Sequence, residues 1–214
     1  WPPPTLPPPT EGGGGGGGGG GSGDGGGPSA FGDPVNIIDG DQASSETDIV
    51  IPCPGLDLVF ARHYDSGQTN DSGVMGERWV HSYEWHLQET QKSVLATMTN
   101  TSPAVEIKTG YGGLYTLLGQ QTSVGDRYWY SWWEHNWTVW PVTNVGSYGY
   151  QLITEGNIRY LFDSNGVLTE IADPWSNRVS VIYSNGVVAR ALHSNGQALD
   201  FTYDGGRIIR IDTP

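Results

Sequence analysis

In its last sixty residues the chain repeats a unit of about twenty positions. Tyr160-Leu161-Phe162-Asp163-Ser164-Asn165-Gly166-Val167-Leu168 is followed by Val181-Ile182-Tyr183-Ser184-Asn185-Gly186-Val187-Val188, and then by Phe201-Thr202-Tyr203-Asp204-Gly205-Gly206-Arg207-Ile208. Each unit reads as a strand ending in an aromatic residue, an Asp/Ser-x-Gly turn, and a second strand of alternating apolar residues. Asn-Gly and Gly-Gly supply the positive φ that a tight hairpin turn demands. Three such hairpins in series make a growing antiparallel sheet, with Tyr160, Phe162, Asp163, Gly166, Tyr183, Gly186, Tyr203, Asp204 and Gly206 as the residues that define the repeat.

Upstream, from Pro34 onward, the pattern stays strand-like and no helical stretch stands out. Alternation predicts strands over Ile49 to Ile51, Leu56 to Tyr64, Trp79 to Leu87, Ser93 to Met98, Ala104 to Lys108, Tyr115 to Leu118, Tyr128 to Trp133, Trp137 to Val142 and Tyr150 to Thr154. Clusters of Gly, Pro, Asn, Asp and Ser separate them, as at Tyr111-Gly112-Gly113 and Val124-Gly125-Asp126. The expected fold class is all-β, an antiparallel meander of hairpins preceded by an extended Pro/Gly-rich arm.

Composition narrows the function. The formal net charge of -13 argues against a nucleic-acid groove or an anionic membrane surface. A single cysteine, Cys53, excludes an intrachain disulfide framework and a cysteine-based zinc cage. No apolar run approaches the roughly 20 residues of a membrane-spanning helix. High glycine and aromatic content with only two lysines, Lys92 and Lys108, fits an exported, extracellular or cell-surface β protein. The start at Trp1, without an initiator Met, fits a chain whose leader has been removed and equally a trimmed one.

Residues 1–31 differ in kind. Trp1, Pro2, Pro3, Pro4, Leu6, Pro7, Pro8 and Pro9 belong to a proline-rich stretch that reads as a polyproline II rod, followed by glycines unbroken from Gly12 to Gly21. In isolation the glycine tract is a flexible linker. Packed into an aromatic groove on a neighbouring copy, the same arm becomes ordered and serves assembly.

The repeats resemble the tyrosine-aspartate repeats of the Rhs/YD-repeat family, with Arg159-Tyr160-Leu161-Phe162-Asp163 through Gly166, Leu168, Ile171 and Asp173 following the family pattern and Phe162 standing where Tyr is usual. Gly32-Asp33-Pro34-Val35-Asn36, Ser45-Glu46-Thr47-Asp48, Leu58-Val59-Phe60-Ala61-Arg62-His63-Tyr64 and Trp79-Val80-His81-Ser82-Tyr83 resemble the domain that begins the Rhs core. The resemblance covers roughly residues 32 to 214 and divides the chain into the arm (1–31), an Rhs-core N-terminal-like β domain (32–155) and the hairpin repeats (156–214). It implies the first part of a coiled hairpin sheet, which in the family forms a hollow shell around a toxin or serves adhesion. About three repeats are too few to close a shell, and no self-cleaving aspartate site is carried over from the family to these residues.

His63, Asp65, His81, Glu84 and His86 lie close in sequence. Read as a strand, they place His81, Tyr83 and Trp85 on one face and Ser82, Glu84 and His86 on the other, with no metal spacing or nucleophile elbow, and the expectation is a structural polar ladder. Asp39-Gly40-Asp41 is expected to be turn chemistry rather than a calcium loop. Cys53, in Ile51-Pro52-Cys53-Pro54-Gly55, is read as a packed thiol rather than a reactive one. The densest aromatic cluster holds Tyr128, Tyr130, Trp132, Trp133, Trp137 and Trp140; core packing, docking of a neighbour's arm and sugar stacking are all open to it. Asn-x-Ser/Thr sequons occur at Asn70, Asn100 and Asn136.

The sequence thus points to a non-enzymatic structural protein without cofactor or metal. Its expected partner is itself, assembling head to tail into a filament through the arm and the sheet edge left after Asp212. Two alternatives are the N-terminal piece of a larger Rhs/YD shell protein, for toxin encapsulation or adhesion, and a carbohydrate-binding module that takes a glycan on the aromatic cluster.

Overall fold

The computed structural model describes residues 41–67, 72–93, 101–121, 127–130, 137–144 and 147–213. The strands are β1 (Ala43–Ile51), β2 (Leu58–Asp65), β3 (Ser72–Gly73), β4 (Gly76–Glu77), β5 (Trp79–His81), β6 (His86–Ser93), β7 (Thr101–Lys108), β8 (Leu114–Gln121), β9 (Arg127–Tyr130), β10 (Thr138–Asn144), β11 (Ser147–Ile153), β12 (Arg159–Phe162), β13 (Leu168–Ala172), β14 (Arg178–Ser184), β15 (Val187–His193), β16 (Ala198–Asp204) and β17 (Arg207–Asp212). A single 3₁₀ turn at Glu155–Asn157 is the one helical element among the described residues. The fold is therefore all-β, as the alternation and turn signals predict.

Strands β6 to β17 form one twelve-stranded antiparallel sheet in strict chain order, while β1, β2 and β5 form a small sheet and β3 with β4 a two-stranded hairpin. The sequence boundary at 155/156 falls inside the long sheet, since Ile153 pairs with Arg159 and Leu152 with Tyr160 across it.

Two turn types join the strands of the long sheet. Segments 109–113, 154–158, 163–167, 173–177 and 193–197 share one geometry: the first residue's N–H donates to the fifth carbonyl, and the fourth N–H donates to the first carbonyl. The fourth residue then needs positive φ, which Gly112, Asn157, Gly166, Ser176 and Gly196 all adopt. Side chains complete the turn: Asp163 and Asp173 each accept the N–H groups two and four residues on, and Thr109 does the same through its hydroxyl. The other type is a two-residue turn, Asn185-Gly186 and Gly205-Gly206, with both residues at positive φ. By their spacing in the sequence Gly166, Gly186 and Gly206 are equivalent positions of the repeat. Gly166 instead closes a five-residue turn, because one more residue separates it from Phe162 than separates Gly186 from Tyr183.

The twenty-residue period reappears as a periodic bulge. Register shifts fall at Leu161/Phe162, Ile182/Tyr183 and Thr202/Tyr203, leaving Thr169, Ala189 and Ile209 as the extra residues on the facing strands. Each repeat aromatic pairs directly with an apolar residue: Phe162 with Leu168, Tyr183 with Val188, Tyr203 with Ile208. Bulges add local twist, and one per unit curls the ribbon steadily.

The curl brings distant parts together. Leu87 at the start of β6 donates its N–H to the Gly166 carbonyl at 2.8 Å, and His86 bridges to Val167. The small sheet packs on the long one: Leu56, Leu58 and Phe60 are buried with Val105, Ile107, Leu117, Val139, Leu152, Leu199 and Phe201 in one core. The Phe60 and Phe201 rings lie 5.8 Å apart. Each such buried aliphatic or aromatic side chain contributes about 1.5–3 kcal/mol.

One predicted strand is corrected. Trp79 to Leu87 is not a single strand, because β5 ends at His81 and β6 begins at His86. Between them the chain turns from the small sheet to the long one. The Ser82 hydroxyl donates to the Ala61 carbonyl (3.2 Å) and accepts the Ala61 N–H (2.8 Å), and Glu84 N–H donates to the His81 carbonyl (2.8 Å). The expected alternation of faces fails with it, since His81, Ser82, Tyr83 and Trp85 are all buried.

Candidate functional site

Strand β17 lies at one end of the long sheet, with no strand beyond it among the described residues. Its bulge residue Ile209 is 63% exposed. Among the described residues, the bonds on the outer side fall at the first residues of the strand. Ile208 N–H donates to the Val74 carbonyl at 3.0 Å, and the Arg207 guanidinium donates to the Gly73 carbonyl at 2.8 Å. Both acceptors sit in the turn of the β3–β4 hairpin, which places that hairpin as a cap at the head of the edge.

Glu84 holds the cap from behind. Its carboxyl accepts the His81 N–H (3.0 Å) and the backbone N–H of Val74. Val74 therefore spans from Glu84, through its N–H, to the edge strand, through its carbonyl. Burial pushes the Glu84 carboxyl up to about 7, against the pull of those two backbone donors. His81 is fully buried and burial holds it down to about 3, so its ring is neutral. Its Nδ1 accepts the Tyr83 N–H (3.4 Å), so the proton sits on Nε2, which lies 3.9 Å from the Glu84 carboxyl without a hydrogen-bond partner.

These groups border a cleft of about 240 Å³ that Val74, Lys108, Val167, Tyr183 and Val188 also line. Burial lowers Lys108 and raises Tyr183, the latter helped by the charges of Asp163 and Glu84. The Tyr203 hydroxyl donates to the Val188 carbonyl (2.7 Å), and burial pushes it up to about 12. Tyr183 and Tyr203, read from sequence only as repeat markers, thus stand beside Glu84.

Of the residues grouped in the sequence, His81 and Glu84 come together, while His63 faces elsewhere, bonded through Nδ1 to the Ser45 hydroxyl (2.7 Å). Asp65 caps the N–H of Gly67 (2.9 Å), and His86 is exposed. The Cys53 thiol is half-buried against the core and donates to the Gln197 side-chain carbonyl at 2.8 Å. Among the described residues no three His, Cys, Asp or Glu side chains converge as a metal would require, and no helix is long and apolar enough to cross a membrane.

The repeat markers fall into two groups. Tyr160 is buried and stacks on Trp85 with ring centroids 4.3 Å apart, Phe162 is buried, and Asp163 and Gly166 make the five-residue turn. Gly186 and Gly206 belong to exposed two-residue turns, and Asp204 is the exposed last residue of β16. The aromatic cluster is divided. Trp137 packs on Tyr115 (4.7 Å) and near Trp85 (6.4 Å), whereas Trp140 stands opposite Gln151, on the face away from buried Val139. Tyr128 and Tyr130 sit in β9 opposite Gln120 and Leu118. Trp132, Trp133, the arm residues Trp1 to Gly21, the Asp39-Gly40 pair and the sequons at Asn70, Asn100 and Asn136 lie outside the described residues.

A family model described as a domain of unknown function (DUF6531) matches residues 32–103, a stretch that holds β1 to β6 and the first residues of β7 and ends ahead of the hairpin repeats. No curated protein matches the chain.

Proposed function

We propose that the chain is a non-enzymatic structural protein, the covered opening turn of an Rhs/YD-type hairpin sheet that is extended from β17. The observation that carries this reading is the bulge at Thr169, Ala189 and Ile209. Strands β13 and β15 bear it and pair onward with β14 and β16; β17 bears it with no strand beyond among the described residues. Thr213-Pro214 also stands forty positions after Asp173-Pro174, the opening of a five-residue turn, which supports extension by further repeats of a longer shell polypeptide. The test is to append one more unit, a second copy of residues 195–213 after Pro214, and measure whether it folds onto the sheet.

A second reading has the next strand come from another copy of the chain, head to tail, as a secreted filament. An exposed apolar edge favours it, since such edges recruit strands in trans, and residues 1–31 would supply the connecting arm. Electron microscopy of the full chain beside a deletion of 1–31 tests it: regular polymers from the first alone support arm-mediated assembly, and monomers from both overturn it.

A further inference from the structure

The cap at the head of β17 competes with any strand that would extend the sheet. An incoming antiparallel strand needs the outward-facing N–H and carbonyl groups of β17. The Ile208 N–H is one of them, and it is already given to Val74. Val74 is in turn held through its own N–H by Glu84, and Arg207 fastens the neighbouring Gly73. We propose that the β3–β4 hairpin is a removable cap on the extending edge and that the Glu84 carboxyl is the clasp that decides whether it stays down. The inference rests on the reading of β17 as the edge from which the sheet is extended.

The surroundings of Glu84 set the direction of the switch. From β5 it faces the neutral His81 ring, from β14 and β16 the hydroxyls of Tyr183 and Tyr203, and Lys108 of β7 and His86 of β6 line the same cleft. Arg207 of β17 is engaged with Gly73. Burial penalises the charged carboxylate. A neutral Glu84 tolerates the closed position and still accepts the two backbone N–H groups. The ionised form gains solvation when the hairpin lifts. The cap is therefore down in mild acid and lifts as pH rises through about 7.

Hydrogen exchange on the full chain, at a concentration where it is monomeric, tests this at about pH 6 and about pH 8.5. After correction for intrinsic exchange, the Val74 and Ile208 amides of the wild type are expected to lose about tenfold in protection at the higher pH, the linkage of about one pH unit. Glu84→Gln keeps an uncharged acceptor and is expected to hold the low-pH protection at both. Arg207→Ala, an exposed change, is expected to lower Ile208 protection at both. Protection independent of pH in the wild type, an unaltered pH response in Glu84→Gln, or an Ile208 amide indifferent to Arg207→Ala would each overturn the clasp. The readout needs no added strand, so a clasp that works in a chain that never extends its sheet would count against the extension reading alone.

Discussion

The backbone N–H of Leu87 donates to the carbonyl of Gly166 across 2.8 Å, tying the first strand of the long sheet to the turn between its seventh and eighth. This bond marks the closure of the curl, and it makes Gly166 unlike the other repeat glycines. A Cβ at Gly166 would run into the Leu87 carbonyl, whereas one at Gly206 would meet nothing within 4 Å. Gly206→Ala is expected to cost only the left-handed backbone term of about 1–2 kcal/mol. Gly166→Ala adds loss of the Leu87 contact and should lower the thermal midpoint clearly further; equal midpoints for the two variants would show that the closure contributes nothing.

Asp173 is fully buried and accepts the N–H of Trp175 (2.8 Å), the N–H of Asn177 (2.9 Å) and the Asn177 side-chain amide (2.6 Å). Removing it orphans these donors, so Asp173→Ala is expected to cost about 2–3 kcal/mol in chemical denaturation. Asp163→Ala, at a half-exposed copy of the same turn, should cost less because water replaces the lost acceptor.

His81 and Glu84 contribute opposite pH dependences. His81 is depressed from 6.5 to about 3, so its contribution is lost as pH falls below 6.5, where the unfolded ring takes up a proton that the folded one refuses. Glu84 is raised from 4.5 to about 7, so its contribution is present at low pH and lost as pH rises towards 7. Between about 4.5 and 6.5 the two cancel. Relative to the wild-type curve, Glu84→Gln should lose stability on acidification through that window, by up to about 1.4 kcal/mol per pH unit. His81→Gln should gain stability over the same window. Denaturation midpoints taken across the window check both slopes, and parallel curves for all three proteins would contradict the pairing.

The hairpins were legible because turn residues and alternation are local signals, and they marked the turns at Gly166, Gly186 and Gly206 that join β12 to β13, β14 to β15 and β16 to β17. The difference between Gly166 and Gly186 was written in the sequence as one extra residue, yet it reads as a different turn only once Asp163 is seen closing it. The break at Ser82 was hidden because Trp79 to Leu87 alternates well enough for a strand. What turns the chain there is a pair of bonds to Ala61, twenty-one residues away. The Glu84 clasp was equally illegible, since the Glu84 carboxyl acts on the backbone of residue 74, which in turn bonds the backbone of residue 208, and neither partner carries a side-chain signature. Tyr183 and Tyr203 were found by their period, while their place beside Glu84 follows from the curl.

The claim that the sheet is extended from β17 is tested most directly by thermal unfolding of the chain carrying a second copy of residues 195–213 after Pro214, beside the same extension in scrambled order. In a sheet built by nearest-neighbour addition, each docked unit stabilises the one before it. The account predicts a single transition with the midpoint raised by several degrees, about 2–4 °C for each kcal/mol gained at this chain length. A midpoint equal to that of the scrambled extension would contradict it and leave β17 as the finished rim of the sheet.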